Sequence, residues 1–472
     1  MDDPVVYETI GDEPALYYVV ANAREVPQVV WLIPAFVASI LVARARSGFR
    51  LLAQAPISPL LQSFVATVCI VVYSLGCLFL AYAPALVLAF LNAGVGDPSY
   101  PCVFIQGGVL HVTTVGATLV RLIILYALLS LMAAAFGEFL FVALRSLWAV
   151  ACPIVMLACA SGVPGYYDGL VPNALLSWLP TTYASIPFAS GYATYFNGED
   201  ITGVAGVSFD RGLTVLASCS AAAIVAILLC LLPLCSLGSR REARGLVVRD
   251  LSLGFSGHTI LNKVSFSIVP GEIVGLVAPN GAGKTTLLRA MAGSCGKDEA
   301  KGIAADGLSP TSHVDYHRTV FFVPGDGSSL YEGLTVREHI AMTSRLWESK
   351  VDPNRIIESM GMSGYAMKRC GRLSQGMRQQ VLLACSYVTG ASYLLLDEPM
   401  NALDPSNVRI NTNILRGMAE RGCGILLSSH LLDNLDALCE SVILIVKTEA
   451  VKVELSEPRK RVAEIYEENY PA

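Results

Sequence analysis

The chain has 472 residues, of which 54% are hydrophobic and only 15% charged, whereas an ordinary soluble domain carries about 25% charged residues. Its net charge of -5 lacks the basic excess that nucleic-acid binding needs, so no nucleic-acid partner is expected. Six scattered histidines and 13 cysteines without a C-x-x-C pair give no support to a metal site or a disulfide framework, and the cysteines read as small apolar filler.

The apolar residues are unevenly placed. Long uncharged runs stop near Arg240, and the remainder has the composition of a soluble domain. A bilayer core of about 30 Å takes roughly 20 apolar residues as a helix. In chain order, Val26 to Ala43 forms the first candidate span. Leu51 to Gly96 carries no charge and is too long for one simple crossing, so Pro84 is expected to kink it or part of it to be re-entrant. Val109 to Phe136, Phe139 to Ala160 and Leu213 to Leu237 complete five expected spans. Arg121 and Glu138 stand nearest the membrane interior, where charged groups are costly and often functional; snorkelling or pairing near the cytosolic face is the alternative. Trp178, Tyr183 and Tyr192 read as an interfacial aromatic layer.

The N-terminal tail is acidic, with Asp2, Asp3, Glu8, Asp12, Glu13 and Glu25 against Arg24. Arg44, Arg46 and Arg50 follow the first span, and Arg240, Arg241 and Arg244 follow the last. The positive-inside rule then predicts an outside N-terminus, a multi-pass cell-membrane protein and a cytoplasmic C-terminal half. The acidic N-terminus lacks the basic n-region of a cleavable signal peptide.

In that C-terminal half, Glu272-Ile273-Val274-Gly275-Leu276-Val277 reads as a buried strand and Leu287-Leu288-Arg289-Ala290-Met291 as a helix. Between them stands Ala278-Pro279-Asn280-Gly281-Ala282-Gly283-Lys284-Thr285-Thr286, the strand–glycine turn–helix context of a phosphate-binding loop. Glycines let backbone N–H groups curl around phosphate oxygens, and the helix N-terminus favours the anion. Lys284 would meet the β- and γ-phosphates and Thr285 would hold Mg²⁺. The usual opening glycine is Ala278 here.

Further motifs follow in order: Val323-Pro324-Gly325-Asp326, Leu373-Ser374-Gln375-Gly376-Met377-Arg378-Gln379, Tyr393-Leu394-Leu395-Leu396-Asp397-Glu398-Pro399, Asn401-Ala402-Leu403-Asp404 and Ile425-Leu426-Leu427-Ser428-Ser429-His430. From Leu246 onward the chain resembles the ATP-binding cassette (ABC) family of transporters. The resemblance implies ATP and Mg²⁺ as cofactors and ATP hydrolysis as the activity. Asn280, Gly281, Ala282, Gly283, Lys284, Thr285 and Thr286 would cradle the phosphates, with Phe255 stacking on adenine. Ser374, Gln375 and Gly376 match the signature motif, which contacts nucleotide held by the opposite subunit, and Asp404 matches the D-loop. Asp397 would hold Mg²⁺, Glu398 would be the general base, and His430 the switch histidine. The family's Q-loop glutamine has no counterpart: either Asp326 replaces it as a metal ligand or the contact is lost.

The resemblance thus implies an all-α transmembrane helix bundle followed by an α/β P-loop NTPase cassette with a helical subdomain. Residues 1–25 read as an outside tail, 26–238 as the permease, 239–245 as a linker, 246–455 as the cassette and 456–472 as a C-terminal tail. The permease resembles the type-two exporters, lacking their first helix, and residues Arg44 to Leu60 match a coupling helix that would dock near Gly325 and Asp326. One cassette makes half of each ATP site, so a second half-transporter, identical or similar, is the expected partner, with a lipid bilayer around the spans. Export of an amphipathic or apolar cargo (lipid, peptide antibiotic or drug) is the implied function; a membrane-anchored ATPase that transmits force, or the regulatory half of a heterodimer, are the alternatives.

Overall fold

The computed structural model describes residues 14–22, 28–46, 51–106, 109–144, 172–184, 207–235, 244–255, 258–293, 300–310, 313–325, 329–455 and 461–470. They form two compact units, one from Met1–Ala45 with Leu60–Leu231 and the other from Arg46–Pro59 with Leu232–Ala472.

The first unit is built from helices α1 (Ala15–Asn22), α2 (Gln28–Arg46), α3 (Pro59–Ala93), α4 (Val115–Leu144) and α5 (Phe209–Cys235), and a hairpin of β1 (Pro101–Gln106) and β2 (Val109–Thr114). Among the described residues, three helices are long and apolar enough to cross a bilayer: Pro59–Ala93, Val115–Leu144 and Phe209–Leu231. Phe64, Phe79, Leu80, Ile123 and Leu229 are exposed on them, a surface compatible with membrane anchoring. The inward side buries Leu125, Tyr126, Leu129, Ala133 and Leu216, and the Tyr126 hydroxyl donates to the Ser74 carbonyl at 3.2 Å, tying α4 to α3. Three buried helix hydroxyls, those of Ser39, Ser74 and Ser220, each donate to the carbonyl four residues back.

The run from Leu51 to Gly96 holds a short helix, Leu51–Gln54, and the 35-residue helix α3, with Pro84 inside it; at 1.5 Å per residue α3 is about 52 Å long, more than one simple crossing needs. Two expectations for this half change. The expected span from Val109 to Phe136 begins instead as a strand, because β-branched Val109, Val112, Thr113 and Thr114 pair across the hairpin, from Pro101 opposite Thr114 to Gln106 opposite Val109. The expected break between Phe136 and Phe139 is absent. A lone Gly137 does not end a helix, and α4 carries Glu138 through as a buried residue. Most of the fourth expected span, residues 145–160, lies outside the described residues, as does Tyr192. Tyr183 is fully buried, its hydroxyl donating to the Ser177 carbonyl at 2.7 Å, and exposed Trp178 lies under the Arg211 guanidinium at 5.0 Å. The Arg121 guanidinium lies 5.5 Å from the Phe209 ring.

The second unit contains a six-stranded sheet in the order β11-β10-β5-β9-β8-β7. Its strands are β5 (Ile273–Val277), β7 (Val320–Val323), β8 (Tyr393–Leu396), β9 (Gly424–Ser428), β10 (Ser441–Val446) and β11 (Glu449–Glu454). All pairings are parallel except β10 with β11. A second, antiparallel sheet joins β3 (Leu246–Phe255), β4 (His258–Ile268) and β6 (Ile303–Ala305). The central strands are continuous apolar runs because both faces are covered. Alternate residues feed two cores: Ile273, Leu394, Ile425 and Leu444 enter one, and Val274, Leu395, Leu426 and Ile443 the other.

Buried Glu272 staples the sheet edge. Lys452 Nζ lies 2.5 Å from Glu272 Oε1, the Ser441 hydroxyl donates to the same oxygen at 2.7 Å, and the Val269 N–H donates to Oε2 at 3.1 Å. Residues 462–469, expected in a tail, form a helix that buries Val462 and Ile465.

Arg46–Pro59 folds with this second unit, although the sequence places it within the permease. Its short helix Leu51–Gln54 buries Leu51, and the turn after it buries Ala55, in the core that also holds Phe321 and Val323. The Leu52 N–H donates to the Tyr331 hydroxyl and the Phe322 N–H to Gln54 Oε1, both at 3.2 Å. These contacts flank the loop that carries Gly325, close to the expected docking point.

Candidate functional site

The loop between β5 and helix α6 (Lys284–Met291) turns on two glycines. Gly281 and Gly283 have φ of 82° and 100°, a region that side chains with a Cβ resist. A Cβ on Gly283 would also stand 2.6 Å from Ile260 Cγ2. Ala278 is not among the residues with positive φ, so its methyl asks nothing unusual of the backbone and the departure from glycine is accommodated. The Lys284 ammonium folds back over the loop, donating to the Ala278 carbonyl at 2.7 Å and the Pro279 carbonyl at 3.4 Å.

Across the loop stand the C-terminal ends of β8 and β9. The Thr285 hydroxyl donates to Asp397 Oδ2 at 2.8 Å. Ser428 donates to Asp397 Oδ1 at 2.7 Å and accepts from the Glu398 N–H at 2.9 Å. Glu398, at φ 47°, turns its carboxylate to His430: Oε2 is 2.7 Å from Nδ1 and accepts from the His430 N–H at 3.2 Å. Together these elements line a cleft of about 440 Å³, within the usual size of a small-molecule site.

Of the residues singled out in the sequence, Asn280, Gly281, Gly283, Lys284, Thr285, Thr286, Asp397 and Glu398 line this cleft. Ala282 lies in its loop, bonded through its N–H to the Pro279 carbonyl at 3.2 Å, and His430 joins through Glu398. Pro279, Arg289, Gly325 and Asn401, which the sequence placed in motifs without a role at the nucleotide, also line it, as does Ile260, which no motif contains. Thr285 and Asp397 offer paired oxygen donors, the ligand type of a hard divalent cation. Asp326 lies outside the described residues.

Four other predicted positions, Ser374, Gln375, Gly376 and Asp404, stand outside the cleft lining. Ser374 caps helix α8 (Gln375–Thr389), accepting from the Met377 N–H at 3.3 Å; it and Gln375 are exposed and outside the cleft lining. Gly376 packs so tightly on the Ala402 carbonyl that a Cβ has no room. Asp404 caps helix α9 (Pro405–Glu420), accepting from the Ser406 and Asn407 N–H groups at 2.9 and 3.0 Å. Those bonds, led by the one from Asn407, hold its carboxyl below the usual carboxylate range. Phe255 ends β3 in register with His258.

The chain matches the ABC transporter family model over residues 261–401. It is 34% identical over 203 residues to the SkfA peptide export ATP-binding protein SkfE of Bacillus subtilis (strain 168), a match covering 42% of this chain and 84% of that one. It is 29% identical to the ABC-type transporter ATP-binding protein EcsA of the same organism, covering 42% of this chain and 83% of the relative. It is 31% identical to the Nod factor export ATP-binding protein I of Burkholderia orbicola (strain AU 1054), covering 42% of this chain and 66% of the relative. A loop shaped for phosphate, facing the acidic pair that follows β8 in a chain so related, makes this protein an ATPase of the ABC transporter family.

Proposed function

We propose that the chain is one half of a dimeric exporter that uses ATP to move an amphipathic or apolar cargo (a lipid, peptide antibiotic or drug) across the cell membrane, with its cassette in the cytoplasm. The observation that carries the dimer is the placement of Ser374, Gln375 and Gly376 outside the cleft of their own chain. A second copy, or a similar half-transporter, would bring those residues to the nucleotide, with the N-terminus of α8 facing its phosphates. The relatives named for peptide and Nod factor export favour export as the direction. The apolar helices favour a fused type-two exporter-like permease.

In this reading Lys284 leaves the Ala278 carbonyl for the β- and γ-phosphates, and the loop N–H groups bind the remaining oxygens. Thr285 and Asp397, with Asp326, would hold Mg²⁺, which when bound neutralises charge on the phosphate oxygens. Glu398 acts as general base towards water, and His430 holds it until the γ-phosphate arrives. The purified full chain is expected to hydrolyse ATP, and Lys284→Ala or Glu398→Gln to lower turnover at least about 100-fold. Wild-type turnover as low as that of Glu398→Gln would instead mark a regulatory half. ATP-dependent uptake of labelled lipid or dye into inverted vesicles tests export against a force-transmitting ATPase.

A further inference from the structure

The ends of β8 and β9 meet over a single hydroxyl. Ser428, the last residue of β9, is fully buried. A serine hydroxyl has one proton to give and two lone pairs to accept with. Ser428 gives the proton to Asp397 Oδ1 at 2.7 Å and takes the Glu398 N–H at 2.9 Å. Thr285 supplies the other Asp397 oxygen at 2.8 Å, so both carboxylate oxygens are gripped from different elements.

The Glu398 peptide needs such an anchor. Its φ of 47° is a conformation that residues other than glycine hold only when the surroundings enforce it. The adjacent Ser429 takes no part: its hydroxyl bonds the N–H and carbonyl of Leu431 at 3.0 and 3.2 Å, shaping the turn beyond His430. Strand alternation separates the two serines, so only the first reaches the acidic pair.

We propose that Ser428 is a positioning residue for ATP hydrolysis, orienting the Asp397 carboxylate for a divalent cation and the Glu398 backbone for water activation through one shared hydroxyl. The inference rests on the roles proposed above for Asp397 and Glu398. Without the hydroxyl, the Glu398 N–H loses its partner and the carboxylate is held on one side only.

The test uses the full chain in detergent, with Ser428→Ala, Ser428→Thr and Lys284→Ala. Three readouts are taken: ATP turnover, Mn²⁺ affinity by electron paramagnetic resonance with a non-hydrolysable ATP analogue, and binding of that analogue in EDTA. Ser428→Ala is expected to lose about 10- to 100-fold in turnover and in Mn²⁺ affinity, with analogue binding in EDTA within about twofold of wild type, while Ser428→Thr recovers both losses to within about threefold. Three results overturn the proposal: wild-type turnover and Mn²⁺ affinity in Ser428→Ala; an equal loss of analogue binding in EDTA, which marks a general prop; or a Ser428→Thr variant that unfolds at the wild-type temperature yet is as defective as alanine. If Lys284→Ala hydrolyses ATP normally, the reading of the whole site fails; if it is inactive while Ser428→Ala is normal, only the role of Ser428 falls.

Discussion

Acid should weaken the second unit through one histidine. His339, on helix α7 (Val336–Leu346), is 1% exposed. Its Nε2 accepts the Tyr331 N–H at 2.9 Å, and its ring stacks on Tyr331 with centroids 5.6 Å apart. Nε2 being the acceptor, the neutral ring carries its proton on Nδ1, which faces Cys385 Sγ at 3.8 Å. Burial pushes the pKa from 6.5 down to about 4, so between those values the unfolded chain binds a proton that the folded chain refuses. The stabilisation is complete above pH 6.5 and is lost as the pH falls through 4. At about 1.4 kcal/mol per pH unit the full effect is roughly 3 kcal/mol, of which roughly 2 kcal/mol is gone at pH 5. For a unit of this size that corresponds to a fall of about 4–8 °C in unfolding temperature. Thermal unfolding of the full chain, followed by intrinsic fluorescence at pH 7.5 and pH 5, measures it. His339→Gln keeps an acceptor for the Tyr331 N–H but cannot titrate, so its fall should be smaller by that amount. Equal falls in the variant and the wild type would refute the reasoning.

Burial alone would raise the Glu272 carboxyl, but Lys452, the Ser441 hydroxyl and the Val269 N–H together hold it below its usual range. Lys452→Met is therefore expected to destabilise by about 3 kcal/mol at neutral pH, as seen in denaturant midpoints, by leaving a buried charge without its cation. Gly376→Ala should cost about 1–3 kcal/mol and lower turnover, because the new methyl meets the Ala402 carbonyl; unchanged unfolding and turnover would contradict that contact. If the five spans expected from the sequence hold, cysteines placed at Arg44 and Arg240 react with an impermeant label from the same side of the membrane; labelling from opposite sides would overturn that expectation.

The cleft was legible because its motifs are local: a glycine turn between a strand and a helix declares itself within a few residues, as Gly281 and Lys284 do. The caps at Ser374 and Asp404 belong to the same class, although local capping accounts for the contacts they make within this chain. Ser428 was hidden because its partners lie on another strand, and reading along β9 does not say what faces it. The hairpin before α4 carried a signal, Gly107-Gly108 beside β-branched residues, which the apolar run concealed. Glu138 lies buried inside α4, so the two spans read on either side of it are joined as one helix as far as Leu144. The union of Arg46–Pro59 with the second unit follows from burial of Leu51 and Ala55, which composition cannot locate.

That union also sets an order of assembly during synthesis. Leu52 and Tyr331, which bond through an N–H and a phenol, are 279 positions apart. At about 5–20 residues per second, the ribosome needs roughly 15–55 s to make the second after the first. Through that interval Leu51 and Ala55 await the surface that will enclose them, so this core is completed only after both segments have been made. A nascent chain arrested before Tyr331 would carry an apolar segment open to chaperones, and release from them would report that Leu51 and Ala55 have met their core.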